Sequence, residues 1–236
     1  MNRKKILLFC GITEILIIIF IAVACRFEGF KFYLFYNFLY GIVVSLLAPL
    51  FLLSKENQNL NTIGIKKTGS FQMLILTAFV AFSIGGQLIP KIAVGEYIAW
   101  DKLPVAILPL IMTTFFEEFL FRGFMQTNLE KCFGSIPAII ASGLLFSFYH
   151  LGYPGFRTVS DLLLLFAVGV GFAIAFKLSG NNLIVSFFVN LPNAFVTYVL
   201  KYWQFPKMTT VSSLYAGITI LLICVIIYHY RRKEHL

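Results

Sequence analysis

Long apolar runs separated by short polar punctuation dominate this sequence. Runs near twenty residues recur, and at about 1.5 Å per residue such a helix crosses a hydrocarbon core roughly 30 Å thick. Eight spans are predicted: Ile6–Ala24, Phe32–Leu53, Phe71–Ile89, Leu103–Glu130, Ile136–Leu151, Leu162–Leu178, Leu183–Leu200 and Val211–Tyr230. Pro90-Lys91 is expected to end the third. Ser54–Ser70 is the one long hydrophilic connection, and its Gly64-Ile65-Lys66-Lys67 portion is expected to lie on the membrane surface. The pattern predicts an all-α, polytopic transmembrane helical bundle of about eight helices.

Composition agrees with this. The chain has 236 residues, 59% of them hydrophobic and only 12% charged, against about 25% charged in an ordinary soluble domain. A net charge of +9 would suit nucleic acid, but the charges sit at the ends of apolar runs, where they anchor helices to a bilayer. No nucleic-acid partner is expected. With the N-terminus in the cytoplasm, twelve Lys and Arg fall on the inner half and seven on the outer, so both termini are expected to be cytoplasmic in a multi-pass cell-membrane protein. Ala22-Val23-Ala24 resembles a signal-cleavage site, but the run before it is long and carries Glu14, so a retained first helix is expected. Tyr202-Trp203 reads as an interfacial aromatic pair. Cys10, Cys25, Cys132 and Cys224 form no CxxC pair and read as ordinary buried thiols.

The chemistry lies in polar groups where lipid should allow none. In Phe116-Glu117-Glu118-Phe119-Leu120-Phe121-Arg122, two adjacent carboxylates interrupt a span, at a cost of a few kcal/mol each near the bilayer centre. Glu118 and Arg122 share a helix face at a spacing of four, with the favourable acid-first order. Glu117 points about 100° away and is freer to act as a base. The other reading places both carboxylates at the aqueous end of a helix. His150 ends the next apolar run. The turn between the two helices centres near Gly134-Ser135, so Glu117 and His150 lie at nearly equal offsets from it, about 24 Å down each arm of an antiparallel hairpin. Asn190 and Asn193 flank Pro192 within one to two turns of that level, and the proline is expected to bend or open its helix. Taken alone, the two amides serve equally well as glue between helices. Glu14, Asn37 and Gln87 are expected to make hydrogen bonds between helices, and Gly169-Val170-Gly171 to permit close packing.

The sequence resembles the CPBP family of intramembrane glutamate proteases, the CAAX-protease and bacteriocin-processing (Abi-type) enzymes. Their E-E-x-x-x-R motif is matched by Glu117-Glu118 and Arg122, and their F-x-x-x-H motif by Phe146 and His150. The third motif, His followed four residues later by Asn or Asp, is changed: Asn190 takes the place of the His, Ala194 stands four later, and Asn193 lies one residue early. The resemblance covers about residues 103–200 and implies a four-helix catalytic core there. Residues 1–102 then form N-terminal spans and 201–236 a last span with a basic tail.

The resemblance implies that Glu117 is the general base, that His150 orients the water or shuttles its proton, and that Glu118 and Arg122 form a structural pair. It implies that Asn190, with Asn193, steadies the oxyanion. An amide N–H can donate there as an imidazole does. Asn is a poor transition-metal ligand, so a metal-free, cofactor-free site is preferred; a zinc-dependent version would use Glu117 and His150. The substrate would be a peptide or membrane-anchored protein, with roles in bacteriocin or signal-peptide maturation, self-immunity or CAAX processing. A non-catalytic scaffold that keeps the fold is the alternative, and a proton-coupled transporter a third reading.

Overall fold

A backbone placed among apolar side chains must satisfy its own hydrogen bonds, and helices do so within one segment. The computed structural model describes residues 1–156, 158–201 and 208–233, and among these it forms eight helical rods. They are α1 (Arg3–Ala24), α2 (Phe30–Lys55), α3 (Ser70–Ala93), α4 (Trp100–Phe133), α5 (Ser135–Gly152), α6 (Val159–Leu178), α7 (Leu183–Lys201) and α8 (Thr210–Lys233). All but α7 are long and apolar enough to cross a membrane. The chain is a multi-pass, all-α membrane bundle. The Tyr202-Trp203 pair lies outside the described residues.

Several boundaries follow from local chemistry. Thr158 and Asp161 form a reciprocal cap on α6, with the Asp161 N–H donating to Thr158 Oγ1 at 3.1 Å. Asn182 caps α7 by accepting from Ile184 N–H at 3.0 Å. Gly134, at φ +85°, makes the α4–α5 turn where it was expected. Helix α3 runs through Pro90 to Ala93 rather than stopping before the proline. A proline three residues from a helix end removes little of the ladder. Pro192, expected to bend or open its helix, lies within α7, and the helix continues through it to Lys201.

Two rods are wound more widely than α-helices. Leu34–Leu47 of α2 and Glu118–Gln126 of α4 are π-helical. Every residue of the second stretch is buried. Between them, Gly41 leaves the space that the Phe116 ring fills: a Cβ there would stand 2.2 Å from Phe116 Cε2. Helices α5 and α6 approach closely at Gly143 and Gly169, where a Cβ on Gly169 would lie 3.1 Å from the Gly143 Cα. Gly171, expected to share that role, faces open space and lines a cavity instead.

The N-terminus, the turn after α2, the end of α4 and the end of α8 meet at one end of the bundle. The Met1 ammonium lies 3.4 Å from Glu56, Lys131 donates to Gln58, and Tyr230 O–H donates to the Gln58 carbonyl at 3.1 Å. The Gly64–Lys67 segment expected on the membrane surface packs on the α6–α7 turn. Leu60 and Ile63 are fully buried. Leu183 N–H donates to the Gly64 carbonyl at 2.8 Å, and Asn182 Nδ2 to the Lys67 carbonyl at 3.2 Å. The Leu183 N–H and the Asn182 side-chain amide, both buried at the α6–α7 turn, thus satisfy two carbonyls of the segment.

Other expectations divide. Asn37 does bridge helices, donating to Thr219 Oγ1 at 3.1 Å. Glu14 does not: it is buried and neither carboxyl oxygen has a hydrogen-bond partner. One helical turn away stand Cys10 and Ile17, which offer no strong donor. Of the cysteines only Cys10 is buried, and Cys224 is exposed because its face of α8 points outward.

Candidate functional site

The site begins with the second half of α4. Glu117 is the last residue before the π-helical stretch and Glu118 the first within it. Wide turns of this kind favour sites where side chains must be re-aimed. Here the two neighbouring carboxyls have different surroundings. Glu117 lines a cavity of about 780 Å³ on the inner side of the bundle. Glu118 is 1% exposed and does not reach that cavity.

Each carboxylate is held by neutral donors from other helices. Glu117 Oε1 accepts from the Tyr149 hydroxyl, and Glu117 Oε2 from Asn190 Nδ2 at 3.0 Å. Glu118 Oε1 accepts from the same Asn190 Nδ2 at 2.9 Å, and Glu118 Oε2 from the Ser186 hydroxyl. Asn190 therefore bridges the two acids with both of its N–H groups. This is a different task from the one the resemblance implies. With both hydrogens directed to carboxylates, Asn190 has none left for an oxyanion in this arrangement.

The pairing of Glu118 with Arg122 is looser than an α-helical spacing of four suggests. Arg122 Nε is 3.9 Å from Glu118 Oε2 and makes no hydrogen bond. The fully buried guanidinium is held elsewhere: Nη1 donates to Ser142 Oγ at 3.3 Å, Nη2 donates to the Gly169 carbonyl at 3.2 Å, and its centre lies 4.8 Å from the Phe146 ring. Its charge still balances the two acids, and its contacts tie α4 to α5 and α6.

His150 lies in the 3₁₀ turn Tyr149–Gly152 that ends α5. Its Nδ1 is 2.7 Å from the Phe146 carbonyl. A carbonyl can only accept, so Nδ1 carries the proton and the neutral ring presents Nε2 as an acceptor. His150 and Glu117 line the same cavity, as the equal offsets from Gly134 predict. They make no direct hydrogen bond. Tyr149 stands between them, its ring centre 4.1 Å from that of His150.

Asn193 lines the cavity from α7. Its Oδ1 accepts from Ser83 Oγ at 3.0 Å and from Gln87 Nε2 at 2.8 Å, both on α3. Gln87 in turn accepts from Thr197 Oγ1 at 3.4 Å. With Oδ1 so engaged, Asn193 Nδ2 is the side-chain donor left to point at a ligand. Gln87 is thus part of the site's support as well as a bridge between helices.

Tyr149, Ser186, Ser83 and Gln87 were not singled out as site residues. Two of them carry a positional signal: Tyr149 adjoins His150, and Ser186 lies one helical turn before Asn190. The α3 donors carry none. Among the described residues no group of three His, Cys, Asp or Glu side chains converges as metal ligands.

The cavity wall is mostly apolar. Phe79 and Phe82 of α3 and Leu164, Leu165 and Val168 of α6 form one side, with Phe82 83% exposed at the lipid-facing rim. The Glu117 carboxyl, an imidazole acceptor and an amide donor thus converge on an apolar space that opens between helices.

A search of curated proteins finds no match to this chain. Residues 99–195 match the family model described as type II CAAX prenyl endopeptidase Rce1-like. That stretch contains Glu117, Glu118, Arg122, Tyr149, His150, Asn190 and Asn193. Through this segment the chain, a multi-pass membrane bundle, is similar to the Rce1-like type II CAAX prenyl endopeptidases.

Proposed function

We propose that the chain is an intramembrane endopeptidase that cuts a peptide or membrane-anchored protein by Glu117-activated water. The supporting observation is that the Glu117 carboxyl and the acceptor nitrogen of His150 share one cavity, while the adjacent Glu118 is sealed away from it.

In this scheme a water sits between Glu117 and His150 Nε2. Both Glu117 oxygens already accept one hydrogen bond, but each keeps a lone pair for the water. The water oxygen attacks the scissile carbonyl carbon and its proton passes to Glu117. The carbonyl π electrons move to oxygen, and Asn193 Nδ2 donates to that oxyanion. Collapse re-forms the carbonyl and breaks the C–N bond. The proton held by Glu117, relayed through His150, goes to the leaving amine. Tyr149 and Asn190 orient Glu117 throughout, and Arg122 keeps the acid pair from repelling itself apart.

Entry of the substrate from the lipid through the apolar rim fits a membrane-anchored segment or an amphipathic peptide. Maturation of a secreted or signalling peptide, or self-immunity, would be the use of such a cut. Glu117 and His150 are the two residues a zinc-dependent version would use, but such sites take three protein ligands plus a water. The reaction is proposed to be metal-free, and activity lost to chelator and restored by zinc would overturn that part. The principal test compares Glu117→Gln and His150→Ala with the unaltered chain in liposomes containing a membrane-anchored reporter peptide. Cleavage should fall by about 10²-fold or more in each. Unchanged cleavage by well-folded variants would leave the non-catalytic scaffold as the better reading.

A further inference from the structure

A second cleft lies far from the site, between the end of α2 and the end of α8. Helix α8 packs along α4 and the π-helical part of α2 but scarcely touches Ala48–Lys55. The gap has a volume of about 850 Å³. Its walls change character along the helices. Leu50, Phe51, Val225 and Ile226 line the part toward the hydrocarbon; Asn57, Gln58, Asn59 and His229 line the mouth. The Tyr230 hydroxyl bonded to the Gln58 carbonyl closes the top.

Cations adjoin the residues of the mouth in the chain. Lys55 follows the cleft residue Ser54, Arg231 and Arg232 follow Tyr230, and Lys131 donates to Gln58 Oε1 at 3.3 Å. Lys55, Arg231 and Arg232 are exposed, and no carboxylate pairs with them among the described residues. The acid at this turn, Glu56, is already engaged by the Met1 ammonium at 3.4 Å and Lys5 at 3.7 Å. The hydrogen bond from that ammonium holds its carboxyl below the usual range, so it stays ionised and occupied. The cleft therefore joins an apolar trough to neighbouring cations that no carboxylate pairs with among the described residues.

We propose that this cleft is a binding site for one anionic phospholipid, with an acyl chain between α2 and α8 and the phosphate against Lys55, Arg231, Arg232 and the amides of the α2 turn. A neutral lipid would fill the trough but leave the rim unanswered, and a soluble anion would answer the rim alone. Charge and apolarity in one groove select the molecule that carries both.

The test uses the full chain reconstituted in nanodiscs of phosphatidylcholine with 30 mol% phosphatidylglycerol, about three lipids in ten. After transfer to mild detergent, the lipid retained per protein is read by native mass spectrometry. One phosphatidylglycerol should be retained in preference to phosphatidylcholine. The combined Lys55→Gln, Arg231→Gln, Arg232→Gln variant should lose that preference by about fivefold per cation removed. Val225→Trp, at a position 63% exposed and so free of overpacking, should block the trough and lower retention with the charges intact. Equal retention of the two lipids by the unaltered chain would overturn the proposal. Loss in the charge variant with none in Val225→Trp would also overturn it, since surface attraction without a cleft gives that result.

Discussion

Asn190 and Asn193 offer a sharp comparison, because they are the same residue type one helical turn apart with different surroundings. Asn190→Leu keeps the volume nearly constant and removes two N–H donors, at 3.0 and 2.9 Å, from two buried carboxylates. Hydrogen bonds to charged groups contribute about 1.5–3 kcal/mol each, which gives roughly 3–6 kcal/mol for the pair. Neutral bonds between membrane helices average only about 0.6 kcal/mol, because the unfolded reference also finds partners. Both acceptors here are carboxylates with few alternatives in lipid, so a loss of at least about 2 kcal/mol is expected. Asn193→Leu removes a half-buried amide at the cavity edge, and its partners Ser83 and Gln87 still have each other at 3.2 Å. Its stability loss should stay near 1 kcal/mol, while its cleavage rate should fall about 10²–10³-fold if it donates to the oxyanion. Thermal and denaturant unfolding of the purified protein in detergent, beside cleavage of a reporter peptide in liposomes, measures both quantities. If Asn190→Leu unfolds like the unaltered protein and loses only catalysis, the bridging role is wrong and Asn190 is the oxyanion donor after all.

Gln87→Leu removes one of the two donors that hold Asn193, so kcat should fall about tenfold with KM little changed; an equal fall in Gln87→Leu, Asn193→Leu double variants relative to Asn193→Leu alone would show that Gln87 acts elsewhere. Arg122→Leu removes the one cation buried beside two acids and should cost about 3–5 kcal/mol, seen as a collapse of folded yield that a second change, Glu118→Leu, partly restores. Gly41→Ala drives a methyl group into the Phe116 ring and should cost about 1–3 kcal/mol in unfolding experiments, whereas Gly171→Ala, with no heavy atom within 4 Å, should be nearly silent; similar losses in both would contradict the packing described.

The spans were legible because bilayer thickness fixes their length, and the hairpin geometry of α4 and α5 was legible because residue offsets from Gly134 convert directly into depth. The same arithmetic brought Glu117 and His150 to one cavity. What failed was finer than one helical turn. Arg122 Nε stands 3.9 Å from Glu118 Oε2, beyond hydrogen-bond reach, and nothing local in Glu118-Phe119-Leu120 announces that or the π-helical winding there. Tyr149 and Ser186 are hydroxyls in apolar helices, marked only by their places beside His150 and one turn before Asn190. The docking of Gly64–Lys67 on the α6–α7 turn joins residues more than 110 positions apart. Composition at one end cannot report a partner at the other. Glu14 shows the reverse: a buried acid implied a bridge that the packing does not provide.

Helix α3 is the loosest rod, with Ile75 as its one buried residue, and it lies outside the segment that matches the family. Yet it holds Asn193 through Ser83 and Gln87 while Phe82 forms the lip of the opening. Gatekeeping and readiness are therefore mechanically joined in a single element. Any outward swing of α3 wide enough to admit a chain would let go of the amide, and only a returned helix would restore it. If the chain is the endopeptidase proposed above, a passing lipid tail that props the entrance open would find the machinery disarmed.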